Sequence, residues 1–155
     1  MIETIGKKTK TENYHPNLIY IVVNKKINSR MYASVQDKSE NTKFLAKVTN
    51  PVSGSIIMEE MSINNAYDFT LVPQYVTQGT CTPTHFQIAY DSTLKIPQES
   101  IAEFTFEQCF NYYNWPGAVR VPACLQAADK LAKLVGESIR DNIKESDLKT
   151  KPHFL

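Results

Sequence analysis

One carboxylate stands where it could do chemistry. Asp129, in the run Ala127-Ala128-Asp129-Lys130-Leu131-Ala132-Lys133, lies at the edge of an apolar stripe with Leu125 and Ala132. A carboxylate so placed is either solvated or aimed into a cleft. A second group is cationic: Lys25, Lys26 and Arg30 in the stretch VVNKKINSR. Basic side chains neutralise phosphates and fix register on a polyanion without reading its sequence; the plainer reading is an exposed basic turn. Lys130 and Lys133 pose the same choice between a phosphate contact and a solvated helix face.

The elements that must position these residues follow from apolar spacing. From Cys124, apolar residues recur at Ala128, Leu131, Val135 and Ile139, the spacing of a helix running from about Pro122 to Asn142. Pro122 suits a first helical position, where the missing N–H costs nothing. Before it, Trp115-Pro116-Gly117 is a hinge that no helix continues through. A preceding helix is predicted from Pro97 to about Tyr113, with a broad buried face of Ile101, Ala102, Phe104, Phe106, Cys109, Phe110 and Tyr113. Phe110, Tyr112, Tyr113 and Trp115 could stack bases, but packing into the core is the favoured reading.

Upstream the pattern is of strands. Asn17 to Asn24 is a continuous β-branched run, the signature of a strand buried on both faces. Arg30 to Val35 reads as a second strand, and Gln36 to Lys47 as a polar surface loop. Asn50 to Gly54 is a turn cluster. Ser55 to Met58 is a short strand, Ser62 to Asn65 a loop. Tyr67 to Val72 and His85 to Tyr90 read as strands bridged by the loop Gln74 to Thr84. In that bridge Gly79 permits a tight backbone and Pro83 stiffens the approach to the next strand. His85 reads as a packed or hydrogen-bonded histidine, with no catalytic role.

Composition bounds the class. The 155 residues are 42% hydrophobic and 21% charged, ordinary for one globular domain. No window reaches the roughly 20 apolar residues of a membrane helix, and the amino end lacks the apolar core of a signal peptide. Cys81, Cys109 and Cys124 show no CxxC spacing, which fits buried thiols in a reducing compartment, cytoplasmic or nuclear. Net charge is +1, but its distribution is uneven. Two cationic ends flank an acidic middle, which permits a polyanion partner without demanding one. Composition alone leaves α/β and α+β both open.

Three stretches, in order, resemble the Piwi domain of Argonaute/Piwi proteins, the Piwi branch in particular: NLIYIVVNKKINSRMYA (17–33), YDFTLVPQYVTQGTCTPTHFQIAYD (67–91) and YYNWPGAVRVPACLQAADKLAKLV (112–135). The resemblance implies an α/β, ribonuclease H-like fold, here the second half only: strands of a mixed sheet followed by two C-terminal helices. It divides the chain into a polar leader (1–13), a partial Piwi domain (14–143) and a C-terminal tail (144–155). There are departures: Ser55-Ile56-Ile57-Met58 stands where Thr-Val-Val-Asp is usual after the turn, and Pro73 stands where serine is usual.

What the resemblance implies about the site is specific. The family's RNA-cleaving centre uses Asp, Glu, Asp and a fourth residue on the C-terminal helix, and Asp129 matches the fourth. The motifs of the first three precede the Asn17 strand and are not found in residues 1–16. The complete family site uses Mg²⁺; this chain alone is expected to need no cofactor and not to cleave RNA. Lys25, Lys26 and Arg30 match basic residues that touch a guide RNA backbone. Thr80, Thr82 and Thr84 lie in a loop, matching the family's QGT…PTH motif, that borders the nucleic-acid channel and could donate to phosphates. Lys130, Lys133 and the carboxylate of Leu155 match the side of a 5′-phosphate pocket whose other half, the Mid domain, is absent. The partners implied are a small guide RNA of the piRNA kind, its target RNA, and the missing Mid and amino-terminal Piwi half or another protein chain. The main expectation is therefore backbone binding in small-RNA-mediated gene silencing. Two others stand beside it: a Mg²⁺ site completed by missing upstream sequence or a partner chain, and a truncated fragment that binds protein and not RNA.

Overall fold

The computed structural model describes residues 15–35, 47–59, 67–92 and 96–140. Its centre is a four-stranded sheet in the order β1-β6-β5-β4, in which every pairing is antiparallel. The strands are β1 (Ile19–Asn24), β4 (Ser55–Glu59), β5 (Asp68–Val72) and β6 (Thr84–Asp91). Two short strands, β2 (Ala33–Val35) and β3 (Lys47–Thr49), pair separately. The helices α1 (Gln98–Glu107) and α2 (Ala123–Lys133) follow, joined through a 3₁₀ turn (Gln108–Phe110) and the Trp115-Pro116-Gly117 hinge. The expected leader (1–13), the tail (144–155), most of the loop after Val35 and the stretch Ser62 to Asn65 lie outside the described residues.

Burial explains the order of the strands. β5 is buried along its whole length, which requires a neighbour on each edge and cover on both faces. Its apolar side chains Phe69 and Leu71 share a face with Phe86 and Ile88 of β6, and α1 covers that face with Ile101, Ala102 and Phe106. Phe69 and Phe86, paired in register, stack with ring centroids 5.1 Å apart. Fully burying side chains of this size contributes about 1.5–3 kcal/mol each. A tight turn leads into β4. There Gly54 sits at φ +87, and a Cβ on it would meet the Phe106 ring at 3.1 Å. Glycine is thus required twice, by the backbone and by the helix that closes over it.

Four expectations need correction. β1 is not buried on both faces within this chain: its residues alternate, with Tyr20 60% exposed and Ile19, Ile21 and Val23 turned to the core. An edge strand with one covered face shows period-2 burial whatever its composition. Helix α1 stops at Glu107, and its turn-like continuation leaves Phe104, Phe110 and Tyr113 exposed, while Ile101, Ala102 and Cys109 are buried. Of the four aromatics assigned to the core, only Tyr112 is buried. Trp115 and Tyr113 lie past the last helical turn and cannot share the helix's inner face. The final helix also departs from regularity. After Lys133 it widens to a π-helical stretch, Leu134–Ile139, closed by the Arg140 N–H donating to Val135 O, five residues back. Arg140 takes a left-handed conformation, φ 53, and ends it.

Candidate nucleic-acid interface

The end of β1 and the flank of α2 meet at a cleft of about 270 Å³, lined by Val23, Lys25, Leu125, Ala128, Asp129 and Ala132. The stripe edge read from the sequence as Leu125, Asp129 and Ala132 is therefore one wall of this cleft. The opposite wall comes from β1, because Val23 keeps its side chain on the core face and Lys25, two residues on, follows the same direction.

Asp129 does not face the cleft alone. Its Oδ2 lies 3.3 Å from Lys25 Nζ and 3.1 Å from Lys133 Nζ. The Lys133 pair spans one helical turn with the acid N-terminal to the base, the favourable arrangement on a helix. Hydrogen bonds first from Lys133 and then from Lys25 hold the Asp129 carboxyl below the usual carboxylate range. The carboxylate is about one-third exposed, at 35%, so the pairs are solvent-screened and weak.

Arg120 fixes the other side of this arrangement. It lies between the two buried valines Val119 and Val121. Its Nη2 donates to the carbonyl oxygen of Lys25, and its own carbonyl accepts from Thr84 Oγ1 at 3.1 Å. The hinge is thus tied to the ends of both β1 and β6. Ala118 O accepts from Gln74 Nε2 at 2.6 Å, and the Val119 N–H donates to Cys109 O at 2.8 Å. The start of α2 is held at a fixed distance from Lys25 by these bonds. Arg120 was not singled out in the sequence; a charged residue flanked by valines and followed by proline is the only signal it carries.

The remaining predicted residues fall in different places. Lys26 and Arg30 are exposed on the turn after β1, and Arg30 Nη1 donates to Ile27 O and Ser29 O at 3.1 and 3.0 Å, shaping its own turn. Lys130 Nζ lies 5.3 Å from the centre of the Tyr112 ring, a cation–π contact. Thr80 is exposed, Thr82 is half-buried, and Thr84 is buried by its bond to Arg120. Leu155 lies outside the described residues. His85 is hydrogen-bonded, as its type suggested. Its Nε2 is 3.1 Å from Asp68 Oδ2, and its Nδ1 is 3.4 Å from Asn24 Nδ2.

The fit to a magnesium pair fails on the donors at this cleft. Among the described residues no group of three or more His, Cys, Asp or Glu is placed to hold a metal ion. The one carboxylate lining the cleft already accepts from two ammonium groups. What the site presents is two cations sharing one carboxylate.

Known proteins bear the same stretch. The sequence model of the Piwi domain family matches residues 1–140. Piwi-like protein Ago3 of Bombyx mori is 41% identical over 82% of this chain, which spans 13% of that protein. Protein piwi of Drosophila melanogaster is 35% identical over 99% of the chain, which spans 17% of it. The crystal structure of Drosophila Piwi superimposes with a TM-score of 0.74, covering 99% of this chain and 20% of that one. A Kluyveromyces polysporus Argonaute solved with a guide RNA shares the fold at 20% identity, TM-score 0.64, covering 85% of this chain and 15% of that one. These neighbours establish the ribonuclease H-like α/β architecture expected from the three motifs. With a family model matched over nearly all of its length and relatives well above 30% identity, the chain belongs to the Piwi domain family.

Proposed function

We propose that this chain is a segment of a Piwi-family protein that contributes backbone contacts to a guide RNA in small-RNA-mediated silencing, in the cytoplasm or nucleus. The observation that carries the reading is the convergence of Lys25 and Lys133 on one exchangeable carboxylate at the mouth of a cleft. Asp129 acts there as an internal counter-ion, and a phosphodiester is the anion that replaces it. Lys26 and Arg30, exposed on the adjoining turn, extend the cationic track, and Lys130 adds to it from α2. Thr80 and Thr82 supply neutral donors from a separate loop. Contacts of this kind hold a guide–target duplex by its shape and phosphates. Support for RNA as the polyanion comes from the family and from the guide RNA held by the structural neighbour.

Metal-dependent cleavage is not assigned to these residues by themselves. Asp129 becomes a magnesium ligand only in a site to which other carboxylates are added, and the two lysines must then release it. The reading is tested by measuring the affinity of the chain for a short 5′-phosphorylated RNA between low and high salt. Binding that weakens steeply with salt, and less steeply in Lys25→Ala, is the expected result. Binding that does not respond to salt contradicts it.

A further inference from the structure

A second hollow lies apart from the lysine–aspartate cleft. It measures about 360 Å³ and is framed by Tyr32 before β2, by Val48, Thr49 and Asn50 at the end of β3, and by the loop from Tyr75 to Thr80. Its size falls within the range of roughly 300–1,000 Å³ typical of small-ligand sites. We propose that this hollow takes a single unpaired nucleobase of an RNA strand. The proposal deepens the RNA-binding reading above and rests on it for the source of the base.

Three features point to that ligand. First, both tyrosines are 57% exposed although the hollow is partly enclosed. Two half-open phenol rings cost free energy in water and offer flat apolar faces, which stack any base regardless of its identity. Second, no lysine, arginine, aspartate or glutamate is found among the described residues that line it. Among the described lining residues a phosphate has no counter-charge, whereas an uncharged planar ring has stacking faces and the hydroxyls of Thr49 and Thr77 for its polar edge. Third, the wall is built in advance. The Asn50 amide donates to Val76 O and Gly79 O, each at 2.8 Å, and its Oδ1 accepts from the Cys81 N–H at 3.0 Å. Gly79 stands at φ +83 with no atom within 4 Å of where a Cβ would lie, so the Cα there faces open space. One side chain thus fixes the loop in the shape that exposes Tyr75 beside Tyr32. Pre-organisation of this kind lowers the ordering cost of binding.

The test compares two oligomers with the same number of phosphates, one an ordinary single-stranded RNA and the other abasic, bound to the 155-residue chain. The RNA is expected to bind more tightly than the abasic strand. Tyr32→Ala and Tyr75→Ala should each weaken RNA binding by about tenfold. Neither should change binding of the abasic strand or the slope of affinity against salt, because neither touches a phosphate. Tyr32→Phe and Tyr75→Phe should keep most of the affinity, since the ring face remains. Equal binding of the two oligomers by the unaltered chain, or equal losses on both in the alanine variants, overturns the proposal. Absence of salt-sensitive binding to either oligomer would instead remove the phosphate reading. The pocket is then tested directly with free adenosine and uridine, read by shifts of the Tyr32 and Tyr75 ring resonances. No shift overturns it, as does a shift produced by a tryptophan-containing peptide and not by the nucleosides.

Discussion

The ammonium of Lys25 lies 3.3 Å from the carboxylate of Asp129, joining the end of the first strand to the middle of the last regular helix. Nothing local brings them together. The contact exists because β1 pairs with β6, because Arg120 bonds the Lys25 carbonyl, and because the hinge then starts α2 beside the same strand end. Two lysines are thereby held near a cleft by one carboxylate, which in the proposed reading a phosphate replaces.

Substitution of the two lysines should separate charge from fold. Lys25 and Lys133 are 43% and 65% exposed in their side chains, so alanine at either site should leave stability within about 0.5 kcal/mol. RNA affinity should fall, and the slope of log affinity against log salt should flatten by about 0.7 for each phosphate contact removed on a single strand. Titrations at several salt concentrations read both quantities.

Acid should dissolve the lysine–aspartate cluster. Because the folded pKa of Asp129 is depressed, its contribution is fully present above the ordinary carboxylate range and is lost as pH falls through the depressed value. Melting curves of the unaltered chain and Asp129→Asn should therefore differ by a constant amount near neutrality and converge on acidification. A difference that grows toward low pH would contradict the assignment.

Arg120 is expected to matter through position. Replacing it with alanine removes the donor to Lys25 O across the hinge. A loss of about 1–3 kcal/mol is expected in denaturant unfolding, the usual cost of a charged donor to a part-buried acceptor. RNA affinity should fall with it, although Arg120 is not placed as a phosphate contact. Lysine at this position keeps the charge but lacks the forked donor geometry, and should restore only part of the stability.

The three thiols should differ in reactivity. Cys124 is exposed, whereas Cys81 and Cys109 are buried. Burial first, and the neighbouring Cys124 second, push the Cys109 thiol up to about 12, so it stays protonated at neutral pH. Under native conditions a maleimide should label one cysteine per chain, and mass mapping should place the label on Cys124.

Much of this arrangement could be read from the residues, and the rest was hidden for physical reasons. The strand at Asn17–Asn24 announced itself by a β-branched run, those at Ser55–Met58, Tyr67–Val72 and His85–Tyr90 were short segments between turns and loops, and the Pro-Gly hinge separated two helices. The run at β1 could not disclose that one of its faces is open here, because apolar residues occupy both sides of the strand. The first helix ended earlier than its spacing indicated, since Gln108–Phe110 tightens into a 3₁₀ turn with no proline or glycine to signal it. Asp129 was visible as a carboxylate at the edge of a stripe, and Lys25 as part of a basic turn. Their pairing was not visible, because it depends on sheet register and on Arg120. Nor did Tyr32, Tyr75 and Asn50 stand out, since they come from three segments that only the fold assembles.

The central claim is that Asp129 serves in this chain as the stand-in for a phosphate between Lys25 and Lys133. It is tested most directly by the affinity of Asp129→Asn for a short 5′-phosphorylated RNA at fixed, low salt. Removing the internal anion frees both lysines, so the variant should bind several-fold more tightly than the unaltered chain and depend more steeply on salt. Weaker binding by the variant, or magnesium-dependent RNA cleavage by the unaltered chain that the variant loses, would contradict the account.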